Sequence, residues 1–266
     1  MKIAVVTGAS SGMGREFVLQ LSGYEQVDEI WAVARRAEAL ESLKKEVSVP
    51  VRPVPLDLIG KEGWDAYAAL LEQEKPEIRL LVNAAGFGKF GDSLEIPAED
   101  ECRMIDLNCK SLVMMTRLSL PYMKPGSRIL ELDSLSAFQP VPYITVYGAT
   151  KAFVLSYTRA LNQELKPRGI RVMAMNPGWV KTEFFDHAFK TNAHNRVQYF
   201  DRLYEAKDVV ATGLHDLYRT KKDVSIHGLP VRNQVRLVKL LPHSLVMKIW
   251  LKQQQKPKNN RHLTTK

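Results

Sequence analysis

The sequence opens with Lys2-Ile3-Ala4-Val5-Val6-Thr7-Gly8-Ala9-Ser10-Ser11-Gly12-Met13-Gly14, an apolar run that leads directly into a glycine-rich turn. The run predicts a buried strand, and helical periodicity follows from Gly14. Glycines let the backbone turn sharply and approach a phosphate, while the next helix offers N–H donors and the positive end of its dipole. The spacing G-x-x-x-G-x-G differs from G-x-G-x-x-G, and a tight turn that binds no ligand is the alternative.

Similar apolar runs recur along the chain and alternate with helical patterns. Seven strands are predicted: Ile3–Thr7, Glu29–Ala34, Val51–Leu56, Leu80–Asn83, Arg128–Leu132, Arg171–Asn176 and Asp223–His227. The helices predicted between them are Gly14–Ser22, Ala37–Val47, Gly63–Glu74, Asp100–Tyr122, Tyr147–Lys166 and Ala206–Tyr218. Such alternation requires right-handed crossovers. The predicted fold class is therefore α/β, a doubly wound, Rossmann-like parallel sheet of about seven strands in one domain over residues 1–228.

The charge of the chain is concentrated at one end. The 266 residues carry a formal net charge of +9, and 45% of them are hydrophobic, which is enough for a sizeable core. Residues 229–266 contain nine Lys or Arg and no Asp or Glu, whereas the 29 basic residues before them balance 29 acidic ones. The basic character therefore belongs to an extension, and we expect no nucleic-acid partner.

The extension is predicted to be helical over Val231–Leu241 and Leu245–Gln253, on either side of Pro242, with a mobile end at Lys256–Lys266. The second helix carries a short apolar side, made up of Leu245, Val246, Ile249 and Trp250. We expect this side to pack on the body of the protein. Peripheral contact with an anionic membrane surface is the less favoured alternative.

Two features bear on location. We expect no leader before the first strand, and no apolar run reaches the ~18 residues that a membrane span requires. Cys102 and Cys109 lie in a predicted helix without metal-ligating partners, which predicts two reduced thiols and a cytoplasmic protein.

A second informative stretch runs from Ser134 to Lys151. Tyr147 and Lys151 are four residues apart, and on a helix they share a face. A free tyrosine, with its pKa near ~10, is a poor acid or base at neutral pH, but an adjacent ammonium favours the phenolate. Ser134 lies upstream, where its hydroxyl could hold a substrate oxygen. The pattern predicts proton transfer to a carbonyl or from an alcohol; alone, it also fits an ordinary amphipathic pair.

Several motifs together resemble those of the short-chain dehydrogenase/reductase family over residues 1–228. They are Thr7–Gly14, Asn83-Ala84-Ala85-Gly86, Asn108, Ser134, Tyr147-Gly-Ala-Thr-Lys151 and Pro177-Gly178, in the order and spacing typical of the family. The resemblance implies hydride transfer between a nicotinamide and a carbonyl or alcohol. It implies that Tyr147 exchanges a proton with the substrate oxygen and that Lys151 lowers the pKa of Tyr147 and binds the nicotinamide ribose. Ser134 would steady the substrate oxygen, and Asn108 would complete a proton relay through water.

The resemblance also implies a set of cofactor-binding residues. They are the phosphate turn Gly8, Ser10, Ser11, Gly12, Met13 and Gly14; Arg35 and Arg36; Asp57 near the adenine; Asn83, Ala84 and Gly86 under the ribose; Tyr147 and Lys151; and the carboxamide loop Pro177, Gly178, Val180 and Thr182. Ala84 departs mildly from the family, which usually has Asn-Asn-Ala-Gly.

The end of the second strand bears on the choice of cofactor. Ala34 stands where an acid would accept the ribose 2′-hydroxyl of NAD, and Arg35 follows it. A guanidinium suits a 2′-phosphate, so we expect NADP(H) to be preferred over NAD(H). A solvated charge at the start of a helix is the alternative.

The segment Glu183–Glu205 is expected to form a lid over the substrate. Aromatic residues are frequent in this segment and in nearby loops: Phe184, Phe185, Phe189, Tyr199, Phe200 and Tyr204, together with Phe87, Phe90, Phe138 and Tyr143. They predict either an apolar substrate pocket or a packed interior of the lid. His187 and His194 could contact substrate, although a loop histidine is more often merely solvated.

We therefore expect an NADP(H)-dependent oxidoreductase acting on a small, apolar carbonyl or alcohol. The alternatives are a non-catalytic NADP(H)-binding sensor and a membrane-surface adaptor that acts through residues 229–266. The family resemblance also implies a homo-oligomer, a dimer or tetramer, paired through the helices that contain Asn108 and Tyr147.

Overall fold

A parallel sheet of seven strands forms the centre of the computed structural model, which describes residues 1–189, 196–200 and 202–255. Its strands are β1 (Lys2–Thr7), β2 (Glu29–Ala34), β3 (Val51–Pro55), β4 (Glu77–Asn83), β5 (Arg128–Leu132), β6 (Arg171–Met175) and β9 (Val224–Ser225). They lie in the order β3-β2-β1-β4-β5-β6-β9, and every neighbouring pair is parallel. A separate parallel pair consists of β7 (Trp179–Lys181) and β8 (Leu203–Glu205).

Helices cover both faces of the sheet. They are α1 (Gly12–Gln20), α2 (Ala37–Ser42), α3 (Lys61–Glu74), α4 (Ala98–Ile105), α5 (Leu112–Ser119), α6 (Thr145–Leu165), α7 (Phe184–Ala188), α8 (Ala206–Arg219), α9 (Leu229–Val238) and α10 (His243–Gln254). Because both faces are covered, the strands are largely apolar on both sides instead of alternating regularly with polar residues. In β1, for example, Ala4 and Val6 join the core beneath α1 and α8, and Ile3 and Val5 join the core on the opposite face. The predicted doubly wound α/β fold is confirmed.

The structure departs from the predicted elements in several places. The predicted helix Ala37–Val47 is shorter, since α2 ends at Ser42 and a 3-10 turn follows at Leu43–Lys45. The predicted helix Asp100–Tyr122 is divided between α4 and α5 by a π-helical turn at Asp106–Ser111. The predicted strand Asp223–His227 shortens to β9, because β6 pairs with it only at Ala174 and Met175. The strands β7 and β8 and the five-residue helix α7 are not predicted, since elements this short show no readable periodicity.

The order of the strands places a crevice at the centre of the sheet. The sheet is built outward in both directions from β1 and β4, and ligands bind to such sheets beyond the carboxyl ends of the strands at this switch point. Here Thr7 joins the two strand ends: its Oγ1 accepts hydrogen bonds from the backbone N–H of Ala84 and of Ala85, each at 3.0 Å. The glycine-rich turn and the loop after β4 are thereby held side by side.

The last two helices, α9 and α10, follow the sheet. The residues predicted to form the mobile end, Lys256–Lys266, lie outside the described residues. Among the residues that the structure describes, no helix has the length and apolar character needed to cross a membrane.

Candidate active site

One large cavity of about 1090 Å³ lies at the carboxyl edge of the sheet. One end is lined by the glycine-rich turn, and the other end by the lid and by α9 and α10. Most of the predicted site residues line it: Gly8, Ser10, Ser11, Gly12, Met13, Gly14, Arg35, Arg36, Asp57, Ala84, Gly86, Ser134, Tyr147, Lys151, Pro177, Gly178, Val180 and Thr182. Asn83 and Asn108 are the two predicted residues that do not.

The backbone of the turn after β1 requires glycine. Gly8 has a φ of 67° and Gly12 a φ of 53°, conformations that residues with a side chain rarely adopt. A Cβ on Gly14 would lie 2.2 Å from the carbonyl oxygen of Gly8, so the start of α1 packs directly on the turn. The result is a bare backbone cradle at a helix N-terminus, which suits a pyrophosphate group.

The two arginines after β2 differ in their surroundings. Arg36 donates to the hydroxyl and the carbonyl oxygen of Ser10, both at 3.3 Å, and pairs with Glu183 of the lid at 3.0 Å. Arg35 is exposed, and among the described residues no hydrogen bond or ion pair engages its side chain. Arg35 therefore presents a free guanidinium at the cavity.

The remaining predicted cofactor residues are spread around the cradle. Asp57 is exposed beyond the end of β3, and its side chain accepts from the backbone N–H of Ile59 at 3.0 Å. A Cβ on Gly12 would lie 3.3 Å from the side chain of Thr182, so the loop after β6 reaches the turn. By contrast, Asn83 is buried and donates through Nδ2 to Thr116 at 2.9 Å, so its side chain braces the sheet behind the cavity.

Tyr147 lies in the first turn of α6, enclosed by aromatic rings. The ring centroids of Phe90 and Phe184 lie 5.8 Å and 5.4 Å from that of Tyr147. Ser134, at the start of the short helical turn after β5, lies close enough to the phenol for its hydroxyl to interact with it. The predicted pair of hydroxyl groups is therefore together in the cavity.

The pKa of Tyr147 shifts in the direction opposite to the one expected. Burial of the phenol among the surrounding rings raises its pKa above the ordinary value, and the hydroxyl of Ser134 only partly opposes this rise. Lys151 does not offset this rise: its Nζ lies 5.6 Å from the centroid of the Tyr147 ring and donates to the carbonyl oxygen of Leu132 at 2.7 Å. At neutral pH Tyr147 is therefore a neutral phenol, able to donate a proton.

Asn108 lies behind the wall of the cavity, within the π-helical turn. Its Oδ1 accepts from the backbone N–H of Phe87 at 3.1 Å, and its Nδ2 donates to the carbonyl oxygen of Phe87 at 2.9 Å and to Thr150 at 3.1 Å. The side chain thus clamps the loop after β4 onto α6, and the water relay through Asn108 stays a prediction. Turns of the π type are frequent at functional sites, although the sequence alone gives no signal for this one.

The aromatic residues of the lid form both a packed interior and a part of the cavity wall, the two arrangements that the sequence predicts. Phe185, Phe189 and Phe200 pack on one another, at centroid distances of 5.4 to 5.9 Å, and Phe200 also packs against Trp179 at 4.9 Å. Lining the cavity from the lid and the neighbouring loops are Phe87, Phe90, Phe138, Phe184, Phe185, His187, Tyr199 and Tyr204. Tyr143 packs against the interior of the lid, and His194 lies outside the described residues.

Helix α10 closes the same end of the cavity. Trp250 stacks on Trp179 with centroids 6.4 Å apart, and its Nε1 donates to the carbonyl oxygen of Pro142 at 3.0 Å. Gln254 accepts from the backbone N–H of Gln198 and of Tyr199, at 2.9 and 3.0 Å. The apolar side of α10 is only partly buried: Val246 is buried, whereas Leu245 and Ile249 are both 43% exposed.

Sequence reasoning missed a buried polar group next to the cavity. Glu131 and Asp133 flank Leu132 at the end of β5, and Asn176 lies at the end of β6. All three side chains are buried. One acid inside a central strand, Glu131, and a second directly after it, Asp133, were a readable signal of an unusual site.

Comparisons with known proteins agree with this geometry. The sequence matches the family described as short chain dehydrogenase over residues 2–193. A serine 3-dehydrogenase from Rhizobium radiobacter is 30% identical over 235 residues, which cover 85% of this chain and 91% of the relative. A short-chain dehydrogenase from Sphingobium yanoikuyae in complex with NADPH has a TM-score of 0.76 and 26% identity, covering 98% of this chain and 100% of that one. A 3-ketoacyl-(acyl-carrier-protein) reductase from Brucella melitensis complexed with NADH has a TM-score of 0.69 and 26% identity, covering 84% and 94%.

Proposed function

Because the chain belongs to the short-chain dehydrogenase/reductase family, and is thus an oxidoreductase of CH–OH or C=O groups, we propose that it reduces an apolar ketone or aldehyde with NADPH, or oxidises the corresponding alcohol. The observation that carries this proposal is the continuity of the cavity. It runs from a backbone cradle at Gly8–Gly14 to a neutral phenol at Tyr147 and on to an aromatic lid. A dinucleotide and an organic substrate would meet at the phenol.

The cofactor half of the cavity fits a nicotinamide dinucleotide. The missing side chains of Gly8, Gly12 and Gly14 leave the space that a pyrophosphate backbone contact needs. The two solved structures described above are complexes with NADPH and with NADH, which supports the cofactor class but not the choice between the two. When bound, the cofactor supplies or accepts the hydride. The residues that would hold it are the predicted ones that line the cavity.

The proton chemistry is assigned to the chain's own side chains. Tyr147 would donate its phenolic proton to the oxygen of the carbonyl as that oxygen gains negative charge. Ser134 would hold the same oxygen, since its hydroxyl already lies at the phenol. Lys151, fixed by the Leu132 carbonyl, would place a positive charge beside the phenolate that remains.

The proposed substrate is apolar at the end that enters the lid. Phe184, Trp179, Val246 and Trp250 line that end of the cavity, and burial of apolar surface favours binding there by roughly 25 cal/mol per Å². The test is a screen of NADPH oxidation with aromatic aldehydes, cyclic ketones and long-chain 2-alkanones. Turnover that increases with the apolar surface of the carbonyl would support the proposal. NADPH binding without turnover on any carbonyl would instead favour a non-catalytic sensor.

Replacing Arg35 by Ala is expected to weaken NADPH binding much more than NADH binding. A lost charge-assisted hydrogen bond costs about 1.5–3 kcal/mol, which is about tenfold or more in affinity. The measurement is a fluorescence titration with each cofactor. Lys221→Ala removes an exposed base outside the cavity and serves as the matched control. A wild-type protein that binds NADH more tightly than NADPH would contradict the proposed preference.

Removing residues 243–266 is expected to lower the melting temperature by about 5–10 °C and to alter KM for the substrate, because Trp250 and Val246 leave the cavity wall. Removing residues 257–266 alone is the matched control and should change neither. Thermal melts and kinetics measure both effects, and flotation with anionic vesicles tests the membrane alternative. If the 1–242 fragment were stable and fully active but alone failed to float, membrane contact would replace packing as the role of α10.

The proposal includes a homo-oligomer. Ile105 and Phe153 are both 45% exposed and lie on α4 and α6, the helices through which the family resemblance implies pairing. Phe153 stacks on Tyr157 at a centroid distance of 6.0 Å, which presents a flat aromatic surface to a second copy.

A further inference from the structure

Two buried acids lie on either side of the peptide that holds Lys151. The ammonium of Lys151 donates to the carbonyl oxygen of Leu132 at 2.7 Å. Glu131, immediately before Leu132, is 0% exposed, and Asp133, immediately after it, is 2% exposed. Lys151 itself is only 6% exposed, so all three charges, if present, would be shielded from water.

Each acid has one oxygen that is hydrogen-bonded and one that is not. Oε1 of Glu131 accepts from Asn83 at 3.3 Å and from Thr116 at 3.1 Å, and Oδ2 of Asp133 accepts from Asn176 at 2.5 Å. The second oxygens, Oε2 and Oδ1, are buried, and neither has a hydrogen-bond partner within the described part of the chain. A buried anionic oxygen without a partner is costly, so a full charge on both acids is disfavoured.

The balance of charge also indicates that only one of the two acids is ionised. One buried ammonium requires one buried anion, and a second anion would add an unpaired charge at low dielectric. Burial raises the pKa of Glu131 to about 8, although hydrogen bonds from Asn83 and Thr116 oppose the rise. Burial also raises the pKa of Asp133, and here the ammonium of Lys151 is the strongest opposing influence. Lys151 therefore favours a charge on Asp133 more strongly than one on Glu131, whose main hydrogen-bond donors are neutral side chains.

Among the residues that the structure describes, few other titratable groups face this cluster. Lys151 faces Tyr147 on its own helix, Cys109 on the π-helical turn, and the two acids on either side of Leu132. Glu131 additionally faces Tyr157, farther along α6.

We propose that Glu131 and Asp133 act as positioning residues that hold one proton between them, so that a single negative charge keeps Lys151 ionised and anchored at the Leu132 carbonyl. This inference rests on the proposed role of Lys151 in binding the nicotinamide ribose and supporting Tyr147. It assigns the two acids no contact with substrate. Because either acid can supply the charge, the loss of one is compensated by ionisation of the other.

The shared proton can be observed without any ligand. At about pH 7 exposed carboxyl groups are ionised, so a carbonyl stretch from a protonated carboxyl in the infrared spectrum reports a buried acid. We expect this band in the wild type and its absence from both Glu131→Gln and Asp133→Asn, because the remaining acid then ionises. A wild type without the band, or a band that persists in both variants, would overturn the proposal.

The charge on Lys151 is tested by the pH dependence of NADPH affinity, measured by fluorescence titration. At about pH 8 each single variant should weaken NADPH binding by about threefold or less, and the double variant by about tenfold or more. At about pH 6 the double variant should return to within about threefold of the wild type, because Lys151 regains its proton. Asp216→Asn removes a buried acid outside the cavity and is the matched control, with the wild-type pH profile expected.

Two outcomes would contradict the role in positioning Lys151. One is that the losses of NADPH affinity in the two single variants add up to the loss in the double variant. The other is that the NADPH affinity of the double variant stays equally weak at the lower pH. A merely structural role would lower the melting temperature without making the affinity recover at low pH. If the wild type failed to bind NADPH, the proposed function would fall, whereas the infrared experiment would still decide whether the acids share a proton.

Discussion

Replacing Tyr147 by Phe is expected to lower kcat by about 10²–10⁴-fold, which is the usual contribution of a positioned general acid. The ring stays in place, because its contacts with Phe90 and Phe184 involve the ring and not the hydroxyl group. NADPH affinity should therefore stay near the wild-type value. Kinetics on a substrate from the carbonyl screen measure the first quantity, and fluorescence titration measures the second.

A suitable control for this variant lies away from the residues around Lys151. Tyr122→Phe removes a phenolic hydroxyl that donates to Glu72 at 3.3 Å outside the cavity, and should leave kcat unchanged. If Tyr147→Phe retained wild-type turnover, another group would have to be the acid. If it lost NADPH binding in parallel with turnover, the hydroxyl would be serving the cofactor rather than the substrate oxygen.

Replacing Glu131 by Gln is expected to change how stability depends on pH. The pKa of Glu131 is raised from 4.5 to about 8 in the folded protein, chiefly by burial. The folded chain therefore keeps a proton that the unfolded chain releases. This contribution to stability is fully present below the unfolded pKa and is lost as the pH rises through the folded pKa. Between about pH 5 and pH 9 the wild type should lose a few kcal/mol of unfolding free energy relative to the variant.

Chemical denaturation at the two pH values measures this difference. The glutamine amide replaces the protonated carboxyl in shape and does not titrate, so the advantage of the variant should emerge only as the pH rises. Glu99→Gln, which removes an exposed carboxyl, is the control. A difference between wild type and Glu131→Gln that is the same at both pH values would show that Glu131 carries no extra proton in the folded state.

The sheet and most of the candidate site were readable from the sequence, for a physical reason. A strand covered on both faces is largely apolar, so runs such as Glu29–Ala34 can be recognised in the sequence as buried strands. The turn at Gly8–Gly14 needs a backbone without side chains, and Tyr147 and Lys151 need a helical spacing. These constraints act between residues near in sequence, and therefore a single sequence displays them.

The features that escaped prediction depend on contacts between distant residues. The stacking of Trp250 on Trp179 joins positions 71 residues apart, and neither local pattern indicates the other. Asn108 falls within the predicted helix Asp100–Tyr122, yet only the fold shows the π-helical turn there and the side chain holding the backbone of Phe87. The pKa of Tyr147 rises rather than falls because aromatic rings from two other segments enclose it, an effect that the Tyr-Lys spacing cannot reveal.

The position of α10 in the cavity wall has a consequence for synthesis on the ribosome. Domains fold as units while the chain emerges from its N-terminal end. The sheet is complete once β9 has emerged, whereas Trp250 and Gln254 follow later. Until then Trp250 does not cover the aromatic surface around Trp179. The nascent chain therefore has a folded nucleotide-binding turn beside an exposed apolar pocket. Chaperone binding to the nascent protein should therefore be greatest in the short interval between the emergence of Ser225 and that of Gln254.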